Sequence, residues 1–144
     1  PDGLRRSPPR GARFATFLLL WSGPVCKVSE EDIYSKYTAD HDGEAVPSYR
    51  QALEARTEPY VWPGFLGRDT DSRVDLDRLS IRGLWIFGDK DGSIPVDLSI
   101  AALKALKNSG HRYEYVLLPG LGHNNMDETF GVATEWIKRR AQRD

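Results

Sequence analysis

Apolar residues in this chain fall into a few continuous runs and two helical stripes. "FATFLLLW" (14–21) is the first run, and "SGP" (22–24) ends it. Its length and the Gly-Pro stop predict a strand buried on both faces. "GLWIFG" (83–88) reads the same way, and "RYEYVLLPG" (112–120) is a strand rich in Tyr, Val and Leu that stops at Pro-Gly. Between the last two strands, "VDLSIAALKALKNSG" (96–110) carries Leu98, Ala102 and Leu106 four apart and Ile100 and Leu103 three apart. That spacing predicts a helix, with Gly110 as its stop. "MDETFGVATEWIKRR" (126–140) predicts another, with Asp127 as N-cap, an apolar stripe of Phe130, Ala133 and Ile137, and basic residues in the last turn. Strand, helix, strand, helix at this spacing is a βαβα unit with parallel strands and a right-handed crossover. The expected class is α/β: about three parallel strands with flanking helices.

The polar stretches complete the layout. Residues 1–13, "PDGLRRSPPRGAR", lack periodicity and read as a loose N-terminal arm; their four Arg have no interleaved aromatics of the kind that bind single-stranded nucleic acid. "SEEDIYSKYTAD" (29–40) predicts a helix that starts at Ser29, close to a capping box with Asp32. "PSYRQALEAR" (47–56) predicts a short helix, and 57–80 reads as a long excursion rich in Pro, Gly and Asp.

Composition narrows the class. With 144 residues, 40% hydrophobic and 28% charged, the chain is one globular domain of ordinary size. A net charge of −1 gives no general attraction to nucleic acid or to an anionic membrane. "ATFLLLW" is too short to span a bilayer, and no cleavage site makes it a signal peptide. The single cysteine, Cys26, excludes an intrachain disulfide and tilts the compartment only slightly towards the cytoplasm.

Chemistry in open parallel sheets gathers at the carboxyl ends of strands. After Phe87 come Asp89 and Asp91; after Leu118 comes "PGLGHNN", with His123. A carboxylate and an imidazole thus reach one sheet edge from neighbouring strands. A carboxylate that accepts Nδ1–H fixes the imidazole tautomer and leaves Nε2 as general base. Taken alone, "DKDG" is also good turn chemistry. His41, His111 and His123 show no metal-ligand spacing, and "DTDSRVDLD" (69–77) begins like a calcium loop but fails at Arg73 and Val74. "GLG" (120–122) is not a dinucleotide fingerprint, so no cofactor is expected.

"LWIFGDKDGSIPV" followed by "YVLLPGLGHN" resembles the C-terminal half of the α/β-hydrolase family, most of all its dienelactone-hydrolase and acylaminoacyl-peptidase-like branches. In that family a G-x-x-D-x-x-V-P turn carries the triad acid and a P-G-x-G-H loop carries the triad His. The resemblance implies Asp91, not Asp89, as the acid and His123 as the base. It makes "FLLLWSGP" the sixth strand of the family, residues 14–144 the C-terminal portion of the fold, and 25–80 a cap-like insertion. Tyr34, Tyr37, Tyr49, Tyr60, Trp62 and Phe65 would line an acyl-substrate pocket under that cap or simply pack it onto the core.

The family's nucleophile sits in a G-x-S-x-G elbow upstream of the sixth strand. The sequence contains no such elbow. The resemblance therefore implies a serine hydrolase of esters, thioesters or peptides whose nucleophile lies outside these residues, as in a truncated, frameshifted or split protein. The alternative is a non-catalytic α/β binding or assembly module with a vestigial Asp–His pair. Ser22 lacks the flanking glycines of an elbow, and Cys26 reads as an incidental thiol. An unpaired strand at 15–21 would seek a partner: a second copy of the chain or the missing N-terminal half.

Overall fold

The structure is a computed structural model that describes residues 15–39 and 68–141. The N-terminal arm, the helix expected at 47–56 and half of the cap-like insertion (40–67) lie outside the described residues. The elements are β1 (Phe17–Trp21), α1 (Val28–Ala39), α2 (Ser72–Arg78), β2 (Arg82–Gly88), α3 (Val96–Asn108), β3 (Tyr113–Leu118) and α4 (Met126–Ala141). The strands form one parallel sheet in the order β1-β2-β3, with Leu19 opposite Leu84 and Trp85 opposite Tyr115. The class is α/β, a parallel sheet with flanking helices.

Alternation along the strands sends side chains to opposite faces. Leu18 and Leu20 of β1, Trp85 and Phe87 of β2, and Tyr113 and Tyr115 of β3 point to one face, where Leu103 and Leu106 of α3 and Leu76 of α2 meet them. Phe17, Leu19 and Trp21, Leu84 and Ile86, and Val116 and Leu118 point to the other, where Ala133 and Trp136 of α4 cover them. Phe17 and Trp136 pack edge to face, as do Trp85 and Tyr113. Central β2 therefore reads as an unbroken apolar run because both of its faces are covered. β1 is half-buried along its whole length rather than buried, because among the described residues it pairs with β2 alone.

Three local expectations are corrected. The excursion at 57–80 contains a helix, α2, whose N-cap Asp71 accepts from the Arg73 amide. The helix expected to begin at Ser29 begins one residue earlier. Glu30 reaches back to the Lys27 amide at 2.8 Å, and the Ser29 amide and hydroxyl both donate to Asp69. Asp69 and Asp71, the acids that looked like the start of a calcium loop, thus serve as helix caps. In α4 the N-cap position is Asn125, whose carbonyl accepts from the Thr129 amide, so Asp127 lies inside the first turn. Of the expected stripe, Ala133 is buried and Ile137 packs against the core, while Phe130 faces outward at 63% exposed and Thr129 and Trp136 are buried beside Ala133.

Candidate active site

The three strand ends open onto one edge of the sheet. β2 ends at Gly88 and the chain turns through Asp89, Lys90 and Asp91 into α3. β3 ends at Leu118 and turns through Pro119 to Gly122 into His123. The two loops are laced together: the Asp89 amide donates to the Leu118 carbonyl at 3.1 Å and the Lys90 amide to the Leu121 carbonyl at 2.9 Å. The approach is so close that a Cβ on residue 88 would lie 2.0 Å from the Leu121 carbonyl oxygen. Glycine is required there for space. Asp89 is exposed and accepts the Gly120 amide at 2.7 Å, so its carboxylate staples the loops, while His123 Nδ1 is bonded to Asp91.

Asp91 is the buried acid of the edge, at 1% exposed. Its Oδ1 accepts the Ser93 and Ile94 amides at 2.9 and 3.1 Å, which locks the turn before α3. Both carboxylate oxygens also face His123 Nδ1, at 3.1 and 3.0 Å. A carboxylate has only lone pairs to offer, so Nδ1 carries the hydrogen and the neutral ring keeps its lone pair on Nε2. The His123 side chain remains 39% exposed while that of Asp91 is fully enclosed. The pair therefore has a sealed acid end and an accessible base end.

Two further elements close on this edge. From β1, Ser22 holds a left-handed φ of 45°, donates its hydroxyl to the His123 carbonyl at 2.8 Å, and accepts from Asn125 Nδ2 at 3.3 Å. Asn125 Nδ2 also donates to the Gly122 carbonyl at 2.8 Å. Ser22 is thus engaged as a brace for the His123 backbone. From α1, the Tyr34 hydroxyl donates to the Asp91 carbonyl at 2.8 Å and the Thr38 hydroxyl contacts the Gly92 carbonyl. Burial and the Asp91 and Asp97 carboxylates push the Tyr34 phenol up to about 12, so it stays a donor at neutral pH. Glu31 of the same helix lies within electrostatic reach of the pair. Burial raises its carboxyl, His123 opposes the rise, and Asp32 and Asp91 add to it.

Beside His123, a cavity of about 240 Å³ opens between Trp21 and Ser22 at the end of β1 and Asn125 to Asp127 at the start of α4. Cys26 is remote from this chemistry in character: it is buried, and burial first, then the charges of Glu30 and Glu31, push its thiol up to about 12. A neutral buried thiol is a poor nucleophile. Among the described residues no cluster of three His, Cys, Asp or Glu side chains is placed to hold a metal ion. The bonds of Ser22 to His123 and Asn125 and the α1 contacts were invisible in the sequence, because each joins residues 54 or more positions apart with no motif between them.

Comparison with known proteins gives partial likenesses. A carboxylesterase of Arabidopsis thaliana, SOBER1, is 37% identical over 57 residues, which is 40% of this chain and 25% of that protein. A solved structure of the Pyrococcus horikoshii acylaminoacyl peptidase aligns over 81% of this chain and 17% of its own, with a TM-score of 0.49 and 12% identity. The chain thus spans about a quarter of the length of the carboxylesterase that it matches. No family model matches the sequence.

Proposed function

We propose that this chain carries the acid and the base of an α/β-hydrolase that cleaves carboxylic ester, thioester or peptide bonds through a serine supplied from outside these residues. The observation that carries the reading is the Asp91–His123 pair. An enclosed carboxylate holds Nδ1–H at 3.0 Å and leaves Nε2 at an accessible edge, where three parallel strands end. The similarity to part of a carboxylesterase supports the same class of chemistry.

In the proposed reaction the serine hydroxyl attacks the carbonyl carbon while His123 Nε2 removes its proton. Asp91 then faces an imidazolium, which its charge stabilises. His123 passes the proton to the departing alcohol, thiol or amine. A water molecule repeats the cycle on the acyl-enzyme: Nε2 takes its proton, the acyl carbon is attacked, and the serine leaves with its hydrogen restored. Asp91 is a positioning and charge-balancing group throughout and is not itself protonated. Among the described residues β1 pairs with β2 alone, and its other edge suits pairing with a strand from the nucleophile-bearing segment or from a second copy.

The first test is to read the coding DNA upstream of Pro1. A G-x-S-x-G elbow in frame supports the proposal; in-frame sequence with no nucleophile overturns it in favour of a binding module with a vestigial pair. The isolated chain should show no triad-level turnover of a p-nitrophenyl ester. Removing oxyanion donors alone costs roughly 10²–10³-fold each in comparable enzymes, and the serine is missing as well. Turnover that His123→Ala abolishes would contradict this and bring Ser22 or Cys26 back as nucleophile.

A further inference from the structure

The acid's loop is held from two sides, and only one of them is local. On the near side, Asp91 Oδ1 takes the Ser93 and Ile94 amides of its own turn. On the far side, two consecutive carbonyls of the same turn, those of Asp91 and Gly92, meet hydroxyls from α1. Tyr34 and Thr38 stand four residues apart, so they share one helical face, and both are buried, at 6% and 1% exposed. α1 thus reaches the acid turn through side-chain hydroxyls directed at its backbone, in addition to whatever apolar packing it makes.

We propose that Tyr34 and Thr38 are positioning residues for Asp91: α1 fixes the backbone of the 91–92 turn so that the carboxylate keeps both oxygens on His123 Nδ1. This rests on the reading of Asp91 and His123 as the acid–base pair, and assigns to the start of the segment between β1 and β2 a part in holding that pair. The geometry explains why hydroxyls are used. A carboxylate's direction follows from its χ angles and from the φ and ψ of its own residue. The local amides fix one oxygen. The peptide planes at 91 and 92 keep their freedom unless their carbonyls are held, and a buried carbonyl left without a donor would carry a desolvation cost. Thr38 also contacts the Tyr34 and Ser35 carbonyls of its own helix, at 3.1 Å each. One hydroxyl hydrogen cannot serve all three acceptors at once. Tyr34 donates to the Asp91 carbonyl at 2.8 Å and is the firmer of the two struts, because Thr38 divides its one hydrogen among three carbonyls.

The experiment is NMR of the full 144-residue chain, following the His123 Nδ1–H proton and its exchange with water. Tyr34→Phe keeps the ring and deletes the donor. It should leave the far-UV circular dichroism unchanged and speed exchange of the Nδ1–H by about tenfold, the population change that loss of one net hydrogen bond allows. Thr38→Val should act in the same direction and more weakly, and Thr38→Ser, which restores a hydroxyl, should return exchange to the wild-type rate. Exchange in Tyr34→Phe within about twofold of wild type, in a folded protein, overturns the proposal. Should Tyr34→Phe fail to fold, the Thr38→Val and Thr38→Ser pair decides, and identical exchange in the two overturns it. A wild-type chain with no protected Nδ1–H overturns the Asp91–His123 pairing itself, a failure distinguishable from loss of the strut alone.

Discussion

Replacing Gly88 by alanine drives a methyl group into the loop that carries His123. The added Cβ would sit 2.0 Å from the Leu121 carbonyl oxygen, 2.5 Å from its carbon and 2.8 Å from the Gly122 oxygen. These are backbone atoms, so no rotamer change relieves the overlap. The 119–123 loop must move by more than an ångström, on the order of what restores a carbon–oxygen contact. That shift stretches the Lys90–Leu121 and Asp89–Leu118 bonds, now 2.9 and 3.1 Å. Overpacking costs about 1–3 kcal/mol and each net hydrogen bond about 0.5–1.5 kcal/mol. With partial relaxation, Gly88→Ala should destabilise the fold by about 2–4 kcal/mol. Gly131→Ala is the control. Gly131 lies within α4 with nothing inside 4 Å of its would-be Cβ. There alanine should stabilise by about 0.5–1 kcal/mol through helix propensity. Urea unfolding followed by tryptophan fluorescence reads both. Gly88→Ala within about 0.5 kcal/mol of wild type would refute the claim that the two loops are locked together at that point.

Other outcomes follow from the same geometry. Cys26 should resist a thiol reagent at pH 8 in the native state and react only on unfolding; immediate stoichiometric labelling would show that its burial and raised thiol pKa are wrong. Asp71 is held below its ordinary value of 3.8 chiefly by the side-chain hydrogen bond from Arg73. Its stabilising contribution is therefore present above that value and lost as pH falls through the lower folded one. Asp71→Asn should accordingly be less stable than wild type at pH 7 and converge with it in acid; a gap that persists at low pH would show that the effect is not ionic. Ser22→Ala should cost about 1–3 kcal/mol in urea titration, since it leaves the buried Asn125 amide and the His123 carbonyl short of a partner; a neutral substitution would show that Ser22 is not a brace.

Legibility in the sequence followed the range of the interactions. Central β2 announces itself because both faces are buried, and α3 because its stripe is regular. Asp91 and His123 were legible because each lies a fixed few residues past a strand end and parallel strands bring those ends together. Short α2 was hidden: "SRVDLDR" has a single buried residue, Leu76, and too few turns for a stripe. The cap of α4 was misassigned because Asp127 is as good a cap as Asn125 by type, and a tertiary bond to Ser22 with a local one to Gly122 holds Asn125 in place. Phe130 then looked like core by spacing and is exposed. Tyr34 could be read only as an aromatic of the insertion. Its hydroxyl acts on a carbonyl 57 positions away, and nothing local encodes that.

The proposed chemistry requires that His123 activate a serine. The measurement is covalent labelling by a fluorophosphonate probe of the protein extended through its upstream reading frame, with turnover of a p-nitrophenyl ester in parallel. The account predicts labelling of one serine in a G-x-S-x-G elbow, lost in His123→Ala, and turnover lowered about 10⁴-fold in Asp91→Asn, where the imidazole takes the wrong tautomer. Labelling and turnover that persist undiminished in both variants would contradict it.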